Sequence, residues 1–491
     1  MIQIVHSDWF RKLGEILLPL LTWLLITFPI WMSPFHPAVV AYFIIAFNVY
    51  FLYKAFTTSV NATLAFRNIL FHQKIPYIKK IKNLKNIEKI NHFIIIPNYK
   101  EPLYKLEETI DRILSNDYNM GNMHLVLAFE KREIEAIEKE TYFRKKYKNK
   151  FTDIISSYHV LVAGEAPGKA SNQTFAAKII DRYALKKEMD PDFTILTICD
   201  ADSLLPDNFF SYLTYEFLKD PDRRFHFYWA PVLLYNNFWQ LPFFVRMQAT
   251  MSSILRLAFL SQKEELIQVS TYSTNLWLLK SLNFWDVDII PEDWHIHLQA
   301  FFTYGEKVRT IALYTIVNGD AVFAGTFLKT LSNRYEQEKR WAWGATDVAY
   351  AWHKLFTTPH IHWFPKVKKI LFLAETHLLW PTSFFMLTLS ASVPPLINSN
   401  FKRTVLGFIL PQMSGFILTI STLLLAIYIY LDIKLREEVK IKTHPSSLPL
   451  LLIQWYLMPV VSFLLSSLPA LDAHTRMLLG KKIIYKVTEK V

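Results

Sequence analysis

Two aspartates separated by a single residue, Asp200 and Asp202, follow the apolar run Phe193 to Cys199. A short apolar run of this kind indicates a strand that is buried on both faces. Carboxylate oxygens are the ligands that Mg²⁺ and Mn²⁺ prefer, and the oxygens of a diphosphate would complete the coordination of such an ion. The pair therefore predicts a divalent-metal site at a strand end, against the alternative of a loop with two solvated aspartates.

Three earlier runs have the same strand-like character, and polar or charged residues follow each of them. The runs are Phe93 to Ile96, His124 to Phe129, and Tyr158 to Ala163. The residues that follow them include Tyr99, Glu101, Glu130 and Lys169. Lys169 comes directly after Gly168. The glycine lets the backbone come close to a ligand, and the lysine supplies a positive charge for phosphate. Gly-Lys pairs are also common in plain turns.

An acidic pair, Glu292 and Asp293, follows the apolar run Val287 to Ile290. A carboxylate across a cleft from the metal can take the proton of an acceptor hydroxyl as a general base. The alternative is a helix start, where the helix dipole favours acidic side chains. His295 and His297 point to different sides of such a helix, so a joint metal site is a minor alternative, as is a face shared by Asp293 and His297.

Gln337, Arg340 and Trp341 stand three and four residues apart, which places them on one face of a helix. Arginine binds phosphate oxygens as a planar fork, and the tryptophan ring can stack on a sugar. The same segment can also be interpreted as a charged amphipathic helix that lies on a membrane surface. The helix can bind substrate and lie on the membrane at the same time.

Strand-like runs alternate with helical ones through this part of the chain. Leu103, Leu106 and Ile110 recur at helical spacing after Pro102, and strand-like sequence returns at His124. Such alternation predicts a doubly wound, mostly parallel α/β sheet, which binds its ligands at the carboxyl ends of its strands. This sheet must bring the polar residues together at one edge.

The composition fits membrane helices combined with a separate domain. The 491 residues are 52% hydrophobic, carry a net charge of +12 and include a single cysteine, Cys199. The length calls for at least two structural units, and the single cysteine excludes an internal disulfide and a cysteine-rich metal site. Cytoplasmic segments held against anionic lipid explain the basic excess better than nucleic acid does.

Two apolar stretches near the N-terminus, Leu13 to Met32 and Pro37 to Tyr53, are each long enough to cross a membrane as a helix. Their short link predicts a hairpin, and the lysines that follow place the next segment and the N-terminus in the cytoplasm. Apolar residues also recur at helical spacing from Met251 to Leu260, after Phe243 and Phe244. This segment predicts either an amphipathic helix at the membrane interface or an ordinary core helix.

Three further apolar stretches lie near the C-terminus, at Ile370 to Ile397, Val405 to Leu431, and Leu448 to Leu468. Five simple crossings would leave the basic tail from residue 471 outside, against the positive-inside bias. We therefore expect a cytoplasmic tail. Either Pro459 breaks the last stretch into a hairpin or re-entrant pair, or the proline-interrupted first stretch does not cross simply.

These segments together resemble the membrane-bound family-two glycosyltransferases, which include cellulose, chitin and hyaluronan synthases. The resemblance covers about residues 91 to 354. It is carried, in order, by Pro97 to Glu101, Asp200 to Asp202, Glu292 with Asp293, and Gln337 to Trp341. The ending Val487 to Lys490 also looks like the Val-Thr-x-Lys ending of many of these synthases.

The resemblance implies an α/β fold, with a GT-A-type (Rossmann-like) cytoplasmic glycosyltransferase domain flanked by transmembrane helices. It implies inverting transfer of a sugar from a nucleotide-diphosphate sugar, with a UDP-sugar favoured, to a glycan or lipid-linked acceptor, with Mg²⁺ or Mn²⁺ as cofactor. Polysaccharide synthesis is the favoured activity. The alternatives are a non-processive transferase acting on a lipid carrier and, from a different class, a non-catalytic membrane transport or lipid-binding protein.

The resemblance also assigns roles to individual residues. Asp202 would bind the metal, Asp200 the ribose or the metal shell, Asp293 would be the catalytic base, and Trp341 would help to form the acceptor site. The donor-binding residues would be Tyr99, Glu101, Glu130, Lys169, Asp200, Gln337 and Arg340. Relatives usually carry an aspartate where this chain has Glu130, and this departure weakens the case for uridine as the base.

The expected organisation has four parts. Residues 1–58 form a transmembrane hairpin, residues 77–367 the cytoplasmic domain with interface helices, residues 368–470 a transmembrane region, and residues 471–491 a basic tail. The expected location is a plasma or inner membrane, with membrane lipids as partners and no nucleic acid.

Overall fold

The structure, a computed structural model, describes residues 8–118 and 121–483. It opens with helix α1, Asp8–Met32, helix α2, Pro37–His72, and the short helix α3, Tyr77–Ile81. The predicted link between two long helices is present, but α2 continues well beyond Tyr53. Its last turns carry Ala65 and Ile69 into the main apolar core of the following domain. This helix therefore connects the predicted membrane hairpin to the domain without a break.

The described residues in the middle of the chain form nine strands. They are β1, Asn91–Asn98; β2, Met123–Glu130; β3, Asp153–His159; β4, Thr194–Ile198; β5, His226–Trp229; β6, Val232–Leu233; β7, Tyr272–Asn275; β8, Arg309–Ala312; and β9, Val317–Asn318. Seven of them form one sheet in the order β3-β2-β1-β4-β7-β5-β8, and β6 pairs with β9. Strands β1 to β4 are parallel, whereas β7 is antiparallel to both of its neighbours. The predicted mostly parallel α/β sheet is confirmed, with one antiparallel strand inserted.

The first strand shows why its sequence is apolar throughout. Phe93 and Ile95 pack in one apolar cluster, and Ile94 and Ile96 pack in another on the opposite side. A strand that is covered on both faces has no solvent side, so its residues do not alternate in polarity.

The third strand lies earlier than predicted, at Asp153–His159 instead of Tyr158 to Ala163. Val160 and Val162 lie beyond its end and are 52% and 57% exposed. Because β3 is at the edge of the sheet, its own sequence is only partly apolar, and the apolar signal came from the loop that follows.

Nine helices belong to this domain in the described part of the chain. They are α4, Leu103–Leu114; α5, Ala136–Lys146; α6, Lys169–Lys186; α7, Phe209–Lys219; α8, Phe243–Phe259; α9, Leu276–Ser281; α10, Glu292–Tyr304; α11, Phe327–Ala342; and α12, Thr346–Thr357. Helix α8 contains the predicted interface segment and packs against α2. Its residues Ile254, Leu257 and Ala258 are buried, which favours the core-helix alternative.

The C-terminal part is helical. It contains α13, Trp363–Thr388; α14, Val393–Ile397; α15, Ser399–Lys402; α16, Val405–Leu423; α17, Leu425–Glu438; α18, Leu448–Ile453; α19, Met458–Ser462; and α20, Leu468–Leu478. A 3₁₀ turn at Gln454–Leu457 and a π turn at Phe463–Ser467 join α18, α19 and α20 into one helical run. The hairpin or re-entrant pair at Pro459, one of the two alternatives, is therefore wrong, and the alternative at Ile370 to Ile397 stays a prediction. This proline stands in the first turn of α19, where a missing N–H is tolerated.

Within residues 8–118 and 121–483, five helical segments are long and apolar enough to cross a membrane. They are Lys12–Met32, Pro37–His72, Trp363–Thr388, Val405–Glu438 and Pro445–Leu478. The predicted ending Val487 to Lys490 lies outside the described residues, so the side on which the tail lies stays a prediction.

Candidate active site

The two aspartates of the predicted metal site lie in the loop that follows β4, at the carboxyl edge of the sheet. Oδ1 of Asp200 lies 2.6 Å from Nζ of Lys169. Oδ2 of Asp202 accepts a 3.1 Å hydrogen bond from the backbone N–H of Asp320. Each carboxylate is thus fixed by its own partner, one from α6 and one from the loop after β9.

Lys169, the first residue of α6, lies among several acceptors. Besides Asp200, its Nζ lies 3.3 Å from Oε1 of Glu292 and donates a 3.0 Å hydrogen bond to the carbonyl of Ser270. Burial opposes the charged form of the lysine, but the carboxylates of Asp200 and Glu292 hold the pKa of Lys169 well above its usual value. The lysine therefore stays charged and links the β4 loop to the start of α10.

Ser270 connects the same two regions. Its hydroxyl donates a hydrogen bond to Oδ2 of Asp200, and its backbone N–H donates one of 2.8 Å to Oδ2 of Asp293. Its φ of +69° lies in the left-handed region, which is costly for a residue with a Cβ. Strain of this kind is typical of sites where geometry matters for function. The sequence analysis missed this residue, and a lone serine in a loop gives no signal that would have marked it.

Glu292 and Asp293 form the first turn of α10, as the sequence predicted. Burial raises the pKa of Glu292 to about 7, although Lys169 lowers it and the charge of Asp293 adds to the rise. Burial also raises the pKa of Asp293, against the hydrogen bond from the Ser270 N–H. Two neighbouring carboxylates that interact lose their protons as a pair. A pair whose pKa values are raised toward neutral pH suits a general base.

The end of α11 forms a buried polar network around Arg334. This fully buried arginine donates hydrogen bonds to Oε1 of Gln337, Oε1 of Glu338 and Oε1 of Gln248. Glu338 also accepts a 2.5 Å hydrogen bond from Nε2 of Gln248, which belongs to α8. The predicted residue Gln337 is therefore held in place by an arginine one turn earlier on the same helix.

Two arginines also fix the predicted acceptor residue, Trp341. The guanidinium carbons of Arg334 and Arg256 lie 4.8 and 5.3 Å from the centroid of one of its rings. Burial lowers the pKa of Arg256 to about 10, while the charges of Asp293 and Asp200 act in the opposite direction. Arg256 of α8 is thus a further charged residue of the site that no motif identified. Arg340, half-buried, precedes Trp341 in the same turn.

A second group of predicted residues lies where β1 and β2 end. The guanidinium carbon of Arg132 lies 4.4 Å from the ring centroid of Tyr99. Oε1 of the buried Glu130 lies 3.0 Å from Nδ1 of His159, whose Nε2 lies 2.9 Å from Oε2 of Glu165. A cavity of about 330 Å³ borders this group and is lined by Glu130, Lys131, Arg132, His159, Val160 and Leu161.

Glu101 lies in the loop between β1 and α4, and the backbone of this loop is anchored. Nζ of the buried Lys139 donates a 2.7 Å hydrogen bond to the carbonyl of Glu101. The same Nζ lies 2.5 Å from Oε1 of Glu133, which is also buried. An ion pair between α5 and the loop after β2 thus holds the loop that carries Tyr99 and Glu101.

The histidines of α10 have partners other than a metal. His295 lies between Oδ1 of Asp347, 2.6 Å from Nδ1, and Oδ2 of Asp286, 3.0 Å from Nε2. Burial opposes its charged form, but these carboxylates raise the pKa of His295 to about 9. His297 is buried, and burial lowers its pKa well below the usual value. These contacts give no support to the alternative of a metal site at His295 and His297.

The side chains near Asp200 and Asp202 can be compared with the ligands that a divalent metal requires. Across residues 8–118 and 121–483, no group of three or more His, Cys, Asp or Glu side chains is arranged to hold an ion. Mg²⁺ is commonly held by one or two carboxylates, with substrate phosphates and water as its other ligands. Asp200 and Asp202 therefore fit an ion that binds together with a diphosphate, and not one held in an all-protein cage.

Comparisons with known proteins give one family match and several structural neighbours of low identity. Residues 195–431 match the family model described as Glycosyl transferase family group 2. Among solved structures, the mannosyltransferase PcManGT from Pyrobaculum calidifontis, in complex with GDP-Man and Mn²⁺, is 14% identical over 89% of this chain and 100% of that chain, with a TM-score of 0.44. S. aureus TarS 1-349 in complex with UDP is 12% identical over 81% of this chain and 94% of that chain, with a TM-score of 0.37. A comparison with curated protein sequences finds no match.

The matched segment contains the Asp200 to Asp202 loop, α10 and α11, and so most of the candidate site. The match confirms the predicted enzyme class, in place of the non-catalytic membrane protein that was the alternative. The sheet itself confirms the predicted α/β class, and among the described residues five apolar helices of membrane-spanning length flank it. The chain is a glycosyltransferase, and its residues 195–431 match the model of glycosyl transferase family group 2.

Proposed function

We propose that this glycosyltransferase moves a sugar, with inversion at the anomeric carbon, from a nucleotide-diphosphate sugar to a glycan or lipid-linked acceptor at the membrane. The pair of hydrogen bonds from Ser270 carries the proposal, because it holds Asp200 and Asp293 on two sides of one residue. A donor bound at Asp200 would thus have its sugar close to the carboxylate of Asp293. A base in this position allows a single displacement without a covalent sugar–enzyme intermediate.

Asp202, together with Asp200, would supply the protein ligands of a divalent metal, Mg²⁺ or Mn²⁺. Such an ion, when bound, would neutralise charge on the diphosphate. Lys169 and Arg340 would meet the same diphosphate, and Lys169 is suited to this role because its pKa is held high. Positive charge fixed in advance at the leaving group stabilises the charge that develops there.

Asp293 would take the proton of the acceptor hydroxyl as that oxygen attacks the anomeric carbon. The hydrogen bonds from Ser270 and from the backbone N–H of Trp294, 2.8 and 2.9 Å long, would keep its carboxylate oriented for this transfer. Trp341 would stack on the acceptor sugar, held in place by the two arginines at its ring. Gln337 would contribute to the donor site from the same helix.

The nucleotide base would bind at the ends of β1 and β2, through Tyr99, Glu101 and Glu130. Oε2 of Glu130 is buried and lies 3.5 Å from Nε of Arg132, and it accepts no hydrogen bond in the part of the chain that the structure describes. It can therefore accept a hydrogen bond from a ring N–H, and the N–H of uracil meets this need. A UDP-sugar is accordingly the favoured donor.

The domain would lie on the cytoplasmic side of a plasma or inner membrane, and the chain would cross that membrane several times. Polysaccharide synthesis is the favoured activity, and single addition to a lipid carrier is the second candidate. The length of the product distinguishes these two activities, since only a processive enzyme releases long chains from few starting events.

The test is product analysis with purified, membrane-reconstituted protein and a panel of labelled UDP- and GDP-sugars, with Mn²⁺ or with excess chelator. We expect one donor to be consumed only when the metal is present, and nuclear magnetic resonance of the product to show an inverted anomeric configuration. A retained configuration would contradict the single displacement at Asp293. Full activity in chelator would contradict the role of Asp200 and Asp202.

A further inference from the structure

Two buried arginines meet where the sheet domain contacts the C-terminal helices. Arg246 lies on α8 and Arg436 near the end of α17, and they are 6% and 3% exposed. Their guanidinium carbons lie 5.4 and 5.6 Å from the centroid of the same ring, that of Phe238. The two positive charges therefore share one small site.

The site contains less negative charge than positive charge. Oδ2 of Asp432 lies 3.1 Å from Nη2 of Arg436, and its Oδ1 accepts a 3.1 Å hydrogen bond from the hydroxyl of Tyr235. Arg246, in contrast, donates from Nε to the neutral side chain of Gln454 at 3.3 Å. Two guanidinium groups thus face one carboxylate. A buried charge without compensation is strongly unfavourable, so the site favours an anion.

The other acidic residues nearby are engaged elsewhere. Glu437 accepts a hydrogen bond from Lys434, and Glu438 accepts one from Gln73 of α2. Neither of these contacts involves the two buried arginines.

Two donors of the site have no hydrogen-bond partner among the described residues. They are Nε of Arg436 and Nε2 of Gln454, and Gln454 is only 2% exposed. A buried donor without an acceptor destabilises the fold, so a functional reason for these two is to be expected. The common requirement of the site is for acceptor oxygens that carry negative charge.

The site also lies at the ends of two membrane-length helices. Arg436 is near the end of the segment Val405–Glu438, and Gln454 is near the start of Pro445–Leu478. Trp239, next to Phe238, is 42% exposed, and Tyr456 is 87% exposed. Tryptophan and tyrosine are enriched at the depth of lipid headgroups. These positions place the site at the membrane–water boundary.

This site is separate from the candidate active site. Arg246 and Arg256 lie on the same helix ten residues apart, which corresponds to about 15 Å along the axis. Arg256 contacts Trp341 at one end of α8, whereas Arg246 contacts Gln454 at the other.

We propose that Arg246, Arg436 and Gln454 bind the phosphate group of an anionic phospholipid at the boundary between the domain and the membrane. Guanidinium groups match phosphate oxygens as planar forks, and basic pockets between membrane helices are suited to lipid headgroups. A bound phosphate would compensate the surplus charge and connect α8, α17 and the last helical run. It would thereby hold the domain in a fixed position on the bilayer.

The test uses the full-length protein in a phosphate-free maltoside detergent, with thermal unfolding as the readout. The protein is titrated with phosphatidylglycerol, with a galactolipid that lacks phosphate, or with inorganic phosphate. We expect phosphatidylglycerol, and not the galactolipid, to raise the Tm of the wild type. Arg246→Gln should weaken the apparent affinity for phosphatidylglycerol by about tenfold or more, and Arg246→Lys by less.

Lys434→Gln is the matched control, because it removes a half-exposed positive charge from the same end of α17 and should leave the affinity unchanged. If inorganic phosphate reproduces the whole effect with the same pattern of variants, the phosphate site stands and its ligand is a free anion. Equal stabilisation by both lipids, or equal affinity in Arg246→Gln and Lys434→Gln, would overturn the proposal.

A second measurement on the wild type covers the case in which Arg246→Gln does not fold. Phosphatidylglycerol should slow hydrogen–deuterium exchange in residues 436–443 and 454–457 more than the galactolipid does. Identical exchange in the two lipids would contradict the site.

Discussion

The candidate active site has two halves that hold their charged groups differently. The sheet-edge half consists of residues in loops after β1, β2 and β4, among them Tyr99, Glu130 and Asp202. The helical half consists of Asp293, Arg334, Trp341 and their neighbours on α8, α10 and α11. Tyr99 and Asp202 are partly exposed. In the helical half Arg334 is completely buried and bonded to three other side chains.

We interpret this difference as one between residues that only bind ligands and residues that also stabilise the fold. Half-exposed groups at a sheet edge can exchange water for a ligand, so their loss should affect binding or reaction and leave the fold intact. A buried charged network is also part of the core, so its loss should cost stability as well. The following predictions test that separation.

The largest effect is expected for Asp202→Asn, in the sheet-edge half. A neutral amide is a poor ligand for a hard cation, so transfer should fall to the background rate while the protein unfolds at the wild-type temperature. Sugar transfer and thermal unfolding, measured on the same preparation, check both parts. Full activity of this variant would show that Asp202 does not bind a required metal. A variant that fails to fold would show that Asp202 stabilises the fold.

Arg334→Gln should have the largest effect on stability. It leaves the buried Glu338 without its cation, and breaking a buried ion pair typically costs about 3–5 kcal/mol. Denaturant unfolding in detergent measures the change. Lys178→Gln removes a charge from an exposed position on α6 and should stay within about 0.5 kcal/mol of the wild type. Similar values for the two variants would mean that the helical half is not a structural core.

Glu130→Gln should act on donor binding. A hydrogen bond to a charged group contributes about 1.5–3 kcal/mol, so donor affinity should weaken about tenfold or more. Calorimetric titration with the nucleotide diphosphate gives the affinity, and the exposed Glu138→Gln, on the neighbouring helix, serves as control. An unchanged affinity would place the base elsewhere.

The smallest effect is a displacement of the pH profile. The charge of Glu292 opposes ionisation of Asp293, so Glu292→Gln should lower the pKa of Asp293 and move the acid limb of the kcat profile to lower pH. The pKa of Glu292 is raised to about 7 in the folded protein. The native state therefore binds more protons than the unfolded chain between the usual carboxyl pKa and about 7, and stability falls as pH rises through this window.

Glu292→Gln should reduce that fall in stability and leave a smaller one, because burial also raises the pKa of Asp293. Unfolding measured across the same pH range checks this part of the prediction. An acid limb that stays in place would show that the two carboxylates do not interact.

Much of the sheet-edge half could be predicted from the sequence for a physical reason. Strands β1, β2 and β4 are buried on both faces, so their apolar runs are conspicuous and the polar residues after them stand out. Strand β3 was misplaced because an edge strand lacks this signal. Glu292 and Asp293 were identified correctly as the start of a helix, because acidic residues after an apolar run combine two local signals.

The remainder depends on contacts between distant segments. Ser270 lies before β7, the antiparallel strand inserted between β4 and β5, and no local periodicity specifies that insertion. Arg256 and Gln248 enter the site because α8 packs beside α11, which their own sequence does not reveal. The break predicted at Pro459 failed for a related reason, since the position of a proline within its helix decides its effect.

The central claim is that Asp293 acts as a base on an acceptor while the sheet-edge half holds the donor. It is tested most directly by Asp293→Asn, with donor affinity and single-turnover rate measured on the same preparation and the exposed Asp288→Asn as control. We predict near-normal donor affinity and a rate of bound-donor turnover reduced by about 10²–10⁴-fold. A collapse of donor affinity with normal turnover of the donor that still binds would contradict the claim, because Asp293 would then be a donor-binding residue.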